Sequence, residues 1–144
     1  MTLSPRLPFF VYGTLRPGEP NHDLFLRGRV RAEEPARMEG AVLYDGPGYP
    51  YVVEEVGGGG VVHGDLVTAR PEEYPALLTA LDLLEEYAPG DPRSLYDRVA
   101  REVLRETDGT AVRAWVYVAA PAVAPRARSR ARGAPIASGD WGRR

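Results

Sequence analysis

Two groups of residues in this 144-residue chain could do acid–base or acyl chemistry. The first is Glu85. Apolar residues recur at Tyr74, Leu77, Leu78, Leu81 and Leu84, the spacing of one helical face, and Glu85 continues that face after Leu78 and Leu81. At about 100° per residue its carboxylate falls near the middle of the apolar stripe, while Glu86 turns toward water. A carboxylate aimed at a core is costly unless it is paired, protonated or used, and partial burial raises its pKa toward the range of a general acid–base catalyst. A frayed helix end and an ion pair with Arg98 stand beside that catalytic reading. The second group follows the first strand. An apolar run from Leu7 to Val11 stops at Gly13 and Pro17-Gly18. Backbone N–H groups just past a strand are unclaimed by its ladder and can converge on an anion or a developing oxyanion. The alternative there is an ordinary turn.

Other chemistries find little support. The chain has no cysteine, which excludes disulfides, thiolate catalysis and thiolate metal sites. A zinc site would need His22 and His63 plus carboxylates from scattered positions, so no metal is expected and both histidines read as polar surface or hairpin residues. No Gly-x-Ser-x-Gly elbow is present, and Gly57 to Gly60 lack the Gly-Lys-Ser/Thr of a phosphate loop. A net charge of -2 gives no reason to expect nucleic acid as the partner. The basic run Arg126, Arg128, Arg130 and Arg132 lacks interleaved aromatics and reads as a solvated tail. No run approaches the roughly 20 apolar residues of a membrane span, and the first residues lack the apolar core of a signal peptide. A cytoplasmic location without a membrane partner is the expectation.

The elements that must position these groups are short. After the first strand, Asn21 to Leu26 makes a helical turn that Asn21 would cap. Strands are expected at Ala36 to Tyr44, bent at Gly40, then at Tyr49 to Glu54 after a turn at Gly46-Pro47-Gly48, and at Val61 to Thr68, interrupted by Gly64. Arg70-Pro71-Glu72-Glu73 opens a helix running to near Tyr87, ahead of Pro89-Gly90-Asp91-Pro92. Leu95 to Arg105 and Thr110 to Ala119 form a hairpin around Thr107-Asp108-Gly109. Glycines inside strands favour a strongly curved sheet, and the order is not βαβ. The fold class is α+β: a small mixed β-barrel with one main helix and one short helix packed on it. Residues 1–120 make a single domain, and 121–144 a Pro/Arg-rich tail able to pack back on it.

Several motifs in order carry a family likeness. Tyr12-Gly13-Thr14-Leu15-Arg16 with Asn21-His22, then Leu81-Asp82-Leu83-Leu84-Glu85, Leu95-Tyr96-Asp97-Arg98, Ala114-Trp115-Val116-Tyr117 and the ending Ile136-Ala137-Ser138-Gly139-Asp140-Trp141 together resemble the γ-glutamylcyclotransferase-like (AIG2-like) family. The resemblance implies that family's mixed barrel. It implies Glu85 as catalytic acid/base, a glutamyl cradle of Tyr12, Gly13, Thr14 and Leu15, and a pocket lined by Tyr96 and Tyr117. It implies a small γ-glutamyl substrate whose free α-amine attacks its own γ-carbonyl, releasing an amine and 5-oxoproline, a reaction that needs no cofactor. A non-catalytic small-metabolite binding module of the same fold is the rival reading. Where many members carry Gly after the Glu, this chain has Glu86.

Overall fold

The computed structural model describes residues 6–44, 50–55, 58–88, 90–120 and 136–143. The first apolar run forms β1 (Phe9–Val11), antiparallel to β5 (Val61–Ala69) and, through Phe9 and Trp115, parallel to β7 (Ala111–Ala119). With β2 (Val30–Glu39) and β6 (Tyr96–Arg105) between those neighbours, the strands close in the order β1-β5-β2-β6-β7. A separate ribbon pairs β3 (Ala41–Tyr44) with β4 (Tyr51–Glu54). The helices are the short α1 (Pro20–Phe25) and the longer α2 (Tyr74–Leu84), so the expected mixed α+β barrel is observed. Among the described residues no helix is long and apolar enough to cross a membrane.

Successive side chains of a strand point to opposite faces, and β1 uses both. Phe10 joins Ala36, Met38, Val62, Leu66, Val103 and Val116 in a cluster to which all five barrel strands contribute: the barrel interior. Phe9 and Val11 face outward, where Tyr74, Leu77 and Leu81 of α2 cover them. Leu77 and Leu81 are fully buried, and each contributes about 1.5–3 kcal/mol toward holding the helix there.

Two local expectations are corrected. Asn21 does not cap α1: Glu19 is the N-cap, without a side-chain bond, and Pro20, its φ preset for a helix, takes the first turn. The extended segment before Gly40 begins earlier, at Val30, and runs through Pro35. Proline is tolerated because its carbonyl accepts the Glu106 N–H, so its missing N–H also faces the β6 side rather than the long β5 ladder. Gly40, at φ 76°, turns the chain into β3 as expected.

Part of the C-terminal tail packs on the barrel. Ile136 N donates to Leu43 O and His63 N to Gly139 O, both at 2.7 Å, and Trp141 is buried in the interior cluster. The arginine run 126–132, the turn at 46–48 and Gly57 lie outside the described residues.

At Gly64 β5 passes β1 so closely that an added Cβ would collide with the Val11 carbonyl oxygen and sit 2.9 Å from the Phe10 ring. Backbone and an interior ring cannot both retreat. Gly64→Ala is expected to destabilise the fold by about 2–4 kcal/mol, read from the urea midpoint of unfolding.

Candidate active site

The chain leaves β1 abruptly. Gly13 O accepts from Arg16 N at 3.1 Å and Thr14 O from Asn21 N at 3.0 Å, folding Tyr12–Leu15 into a tight loop. Pro50, at the entrance to β4, packs on it, and a Cβ at Gly13 would lie 2.8 Å from Pro50 Cδ and Cγ, so only glycine fits. Among the described residues no acceptor takes the N–H groups of Gly13, Thr14 or Leu15. Asn21 Nδ2 donates to Thr14 Oγ1 at 2.8 Å, and His22 Nε2 meets Glu33 Oε1 at 2.6 Å, tying α1 to β2. Arg16 anchors the loop's far end, with Nε on buried Asp65 at 2.8 Å and Nη1 on Asp140 at 2.7 Å.

Across from the loop, α2 stops at Leu84, earlier than the expected Tyr87, and Glu85 is its C-cap. Tyr87 N donates to Asp82 O at 2.9 Å and Glu86 N to Leu83 O at 3.2 Å, the paired bonds of a Schellman turn. Such a turn needs a left-handed residue after the cap. Glycine adopts that conformation without strain; here Glu86 holds it at φ 52°.

A cavity of about 400 Å³ lies between the loop and this helix end. Tyr12, Gly13, Thr14, Leu15, Glu85, Tyr96 and Tyr117 all line it, so the seven residues expected of the catalytic and substrate site meet there. Glu85 is half-buried, and desolvation raises its pKa to about 7. Among the described residues no cation pairs with it. The alternative of an ion pair with Arg98 is overturned: Arg98 Nε donates to Asp82 Oδ1 at 2.9 Å, with its guanidinium 4.3 Å from the Trp115 ring centroid.

The tyrosines are fixed by their own hydrogen bonds. Tyr12 Oη donates to Tyr117 O at 2.5 Å, Tyr96 Oη to Pro50 O at 2.8 Å, and Tyr117 Oη to Asp82 Oδ1 at 2.6 Å. Tyr96 also stacks on Tyr51, with ring centroids 5.1 Å apart. Burial pushes the Tyr12 and Tyr117 phenols far up, reinforced at Tyr12 by the Glu85 carboxylate and at Tyr117 by its hydrogen bond to Asp82, so both stay neutral. Sequence reasoning gave Asp82 no role. The available signal was its position three residues before Glu85, which places both on one helix face.

A group held above its usual pKa by burial costs stability in its charged form. Below about pH 4.5 Glu85 is protonated folded or unfolded, and no cost arises; as pH rises through about 7 the cost develops fully. Glu85→Gln is expected to stabilise the protein by on the order of 2–3 kcal/mol at pH 8 and by little at pH 4, seen in melting curves across that range. Glu86→Gly relieves the left-handed strain and is expected to add about 1 kcal/mol at either pH.

The family model described as "Gamma-glutamyl cyclotransferase, AIG2-like" matches residues 9–143. The γ-L-glutamyl-butirosin B γ-glutamyl cyclotransferase of Niallia circulans is 37% identical over 110 residues, which is 76% of this chain and 64% of that protein. This chain thus spans just under two thirds of that relative's length. The crystal structure of a mouse AIG2-like protein superposes with a TM-score of 0.59 at 27% identity, covering 81% of this chain and 80% of the other. An uncharacterised Pyrococcus horikoshii protein shares the fold, with a TM-score of 0.60 at 24% identity over 94% of this chain and 89% of that one.

Proposed function

Because the chain belongs to the AIG2-like γ-glutamyl cyclotransferase family, we propose that it cyclises the γ-glutamyl group of a γ-glutamyl amine or peptide to 5-oxoproline, releasing the amine, with Glu85 as general acid/base. The observation that carries this reading is one cavity holding a desolvated carboxylate, without a cation partner among the described residues, opposite a loop of backbone N–H groups.

The cavity holds the glutamyl chain bent, so its α-amine lies against its own γ-carbonyl carbon. Removing that rotational freedom in advance lowers the barrier to ring closure. The α-ammonium first gives one proton to solvent. The free amine then bonds to the γ-carbon, and the carbonyl oxygen becomes a tetrahedral oxyanion. Glu85 takes the second proton from the nitrogen that bond formation has made cationic. The amide bond to the leaving nitrogen then breaks as Glu85 returns the proton to it. Atoms balance: one amide is exchanged for another, Glu85 ends as it began, and the released amine takes up from solvent a proton equal to the one the α-ammonium gave up. The Gly13–Leu15 amides and the Thr14 hydroxyl supply donors for the substrate's carboxylate or for the oxyanion. A pKa near 7 suits both halves of this task, since the group must gain and lose a proton at neutral pH.

The test is 5-oxoproline release from a panel of L-γ-glutamyl alkylamides and dipeptides. kcat/KM is expected to rise with pH and level off above about 7, as Glu85 loses its proton. Glu85→Gln is expected to lower kcat by about 10²- to 10⁴-fold. Tight binding of the same compounds without 5-oxoproline would favour the binding-module reading.

A further inference from the structure

Tyr117 lines the cavity, but Asp82, to which its hydroxyl is bonded, is not among the residues lining it. The geometry nonetheless gives Asp82 work to do. A phenol has one proton and two lone pairs. Asp82 is paired with Arg98 at 2.9 Å and, as a carboxylate, can only accept, so the phenol proton is committed to it. Arg98 is itself sandwiched, its guanidinium 5.4 Å from the Tyr87 ring centroid and 4.3 Å from that of Trp115, which holds the pair still. Among the described residues no donor reaches the Tyr117 phenol oxygen, Oη. That oxygen is therefore fixed as a hydrogen-bond acceptor.

The opposite wall has the reverse polarity. Asn21 fills an acceptor position on Thr14 Oγ1, leaving the hydroxyl proton for another partner, and the loop N–H groups beside it are donors as well. The cavity thus has donors at the loop and acceptors, Glu85 and Tyr117, at the end of α2. An α-amino acid head group fits one way round, carboxylate to the loop and ammonium to the helix end.

We infer that Asp82 is a positioning residue: by holding the phenol proton of Tyr117, it makes that oxygen an acceptor that receives the substrate's α-ammonium beside Glu85. This inference rests on the cyclotransferase reading and adds to it the group that orients the attacking nitrogen. It differs from a structural role for Asp82 in being specific to the amine.

Two measurements separate these roles: KM for L-γ-glutamyl-butylamide, and Ki for N-butylglutaramate, which keeps the carboxylate and the amide but lacks the α-amine. Asp82→Asn and Tyr117→Phe are each expected to raise KM about 10- to 100-fold, the worth of a hydrogen bond to a charged group. Ki for the desamino compound should stay within about twofold in both. The double variant should be no worse than either single one, because Asp82 acts through Tyr117. Parallel losses in KM and Ki, additive effects in the double variant, or an unchanged KM in Asp82→Asn would each overturn the inference while leaving the cyclotransferase reading intact. If Asp82→Asn does not fold, Tyr117→Phe alone decides: a KM loss without a Ki loss supports the acceptor, and any other result removes it. Absence of 5-oxoproline from the wild-type protein with every γ-glutamyl compound overturns the cyclotransferase reading and this inference with it.

Discussion

Closing the barrel requires β1 to bond to β5 on one side and β7 on the other, and β1 has three residues with which to do it. Its ladder ends at Val11, so the amides that follow have no strand to bond. The same closure brings β7 alongside, where the Tyr117 carbonyl accepts the Tyr12 hydroxyl's hydrogen bond and ties the loop to the barrel. A cavity between the loop, β6, β7 and the end of α2 is therefore a geometric result of closure by so short a strand. A longer β1 would carry its ladder through Gly13 and occupy the amides of residues that now line the cavity.

The helix end opposite is held at a cost. Desolvation of the Glu85 carboxylate and the left-handed Glu86 both oppose folding, and together they are comparable to the burial of one or two leucines. Leu77 and Leu81, one turn apart and fully buried, together with the tyrosine at the helix start, contribute about that much or more. The helix can carry an unfavourable terminus because its middle is well packed. Strain of this kind, confined to the residues that face the cavity, is what a binding or catalytic site is expected to show.

Much of this was legible before any coordinates. The helical stripe from Tyr74 to Leu84 pointed Glu85 at the core, and the break after Val11 marked the loop, because both signals are local and periodic. The structure brought them into one cavity along with Tyr96 and Tyr117. What could not be read was long-range. Arg98 is as close in sequence to Glu85 as many true partners, yet it bonds Asp82, a choice set by the register that places Arg98 opposite Tyr117. Asn21 looked like a cap because its type favours caps; the proline before it took the first turn, leaving the amide for Thr14. The helix ended early because the Schellman bonds formed around a glutamate, where turn chemistry favours glycine.

Arg16 joins the loop to Asp65 and to Asp140, a partner 124 positions further along the chain. Strand β1 likewise meets β7 only after the intervening hairpin exists. On the ribosome the loop is synthesised well before the segment that carries Asp140, so this half of its clamp forms late relative to the loop itself. A chain synthesised only as far as β7 therefore holds the loop through Asp65 alone, and the Asp140 half of the clamp closes once that residue has emerged.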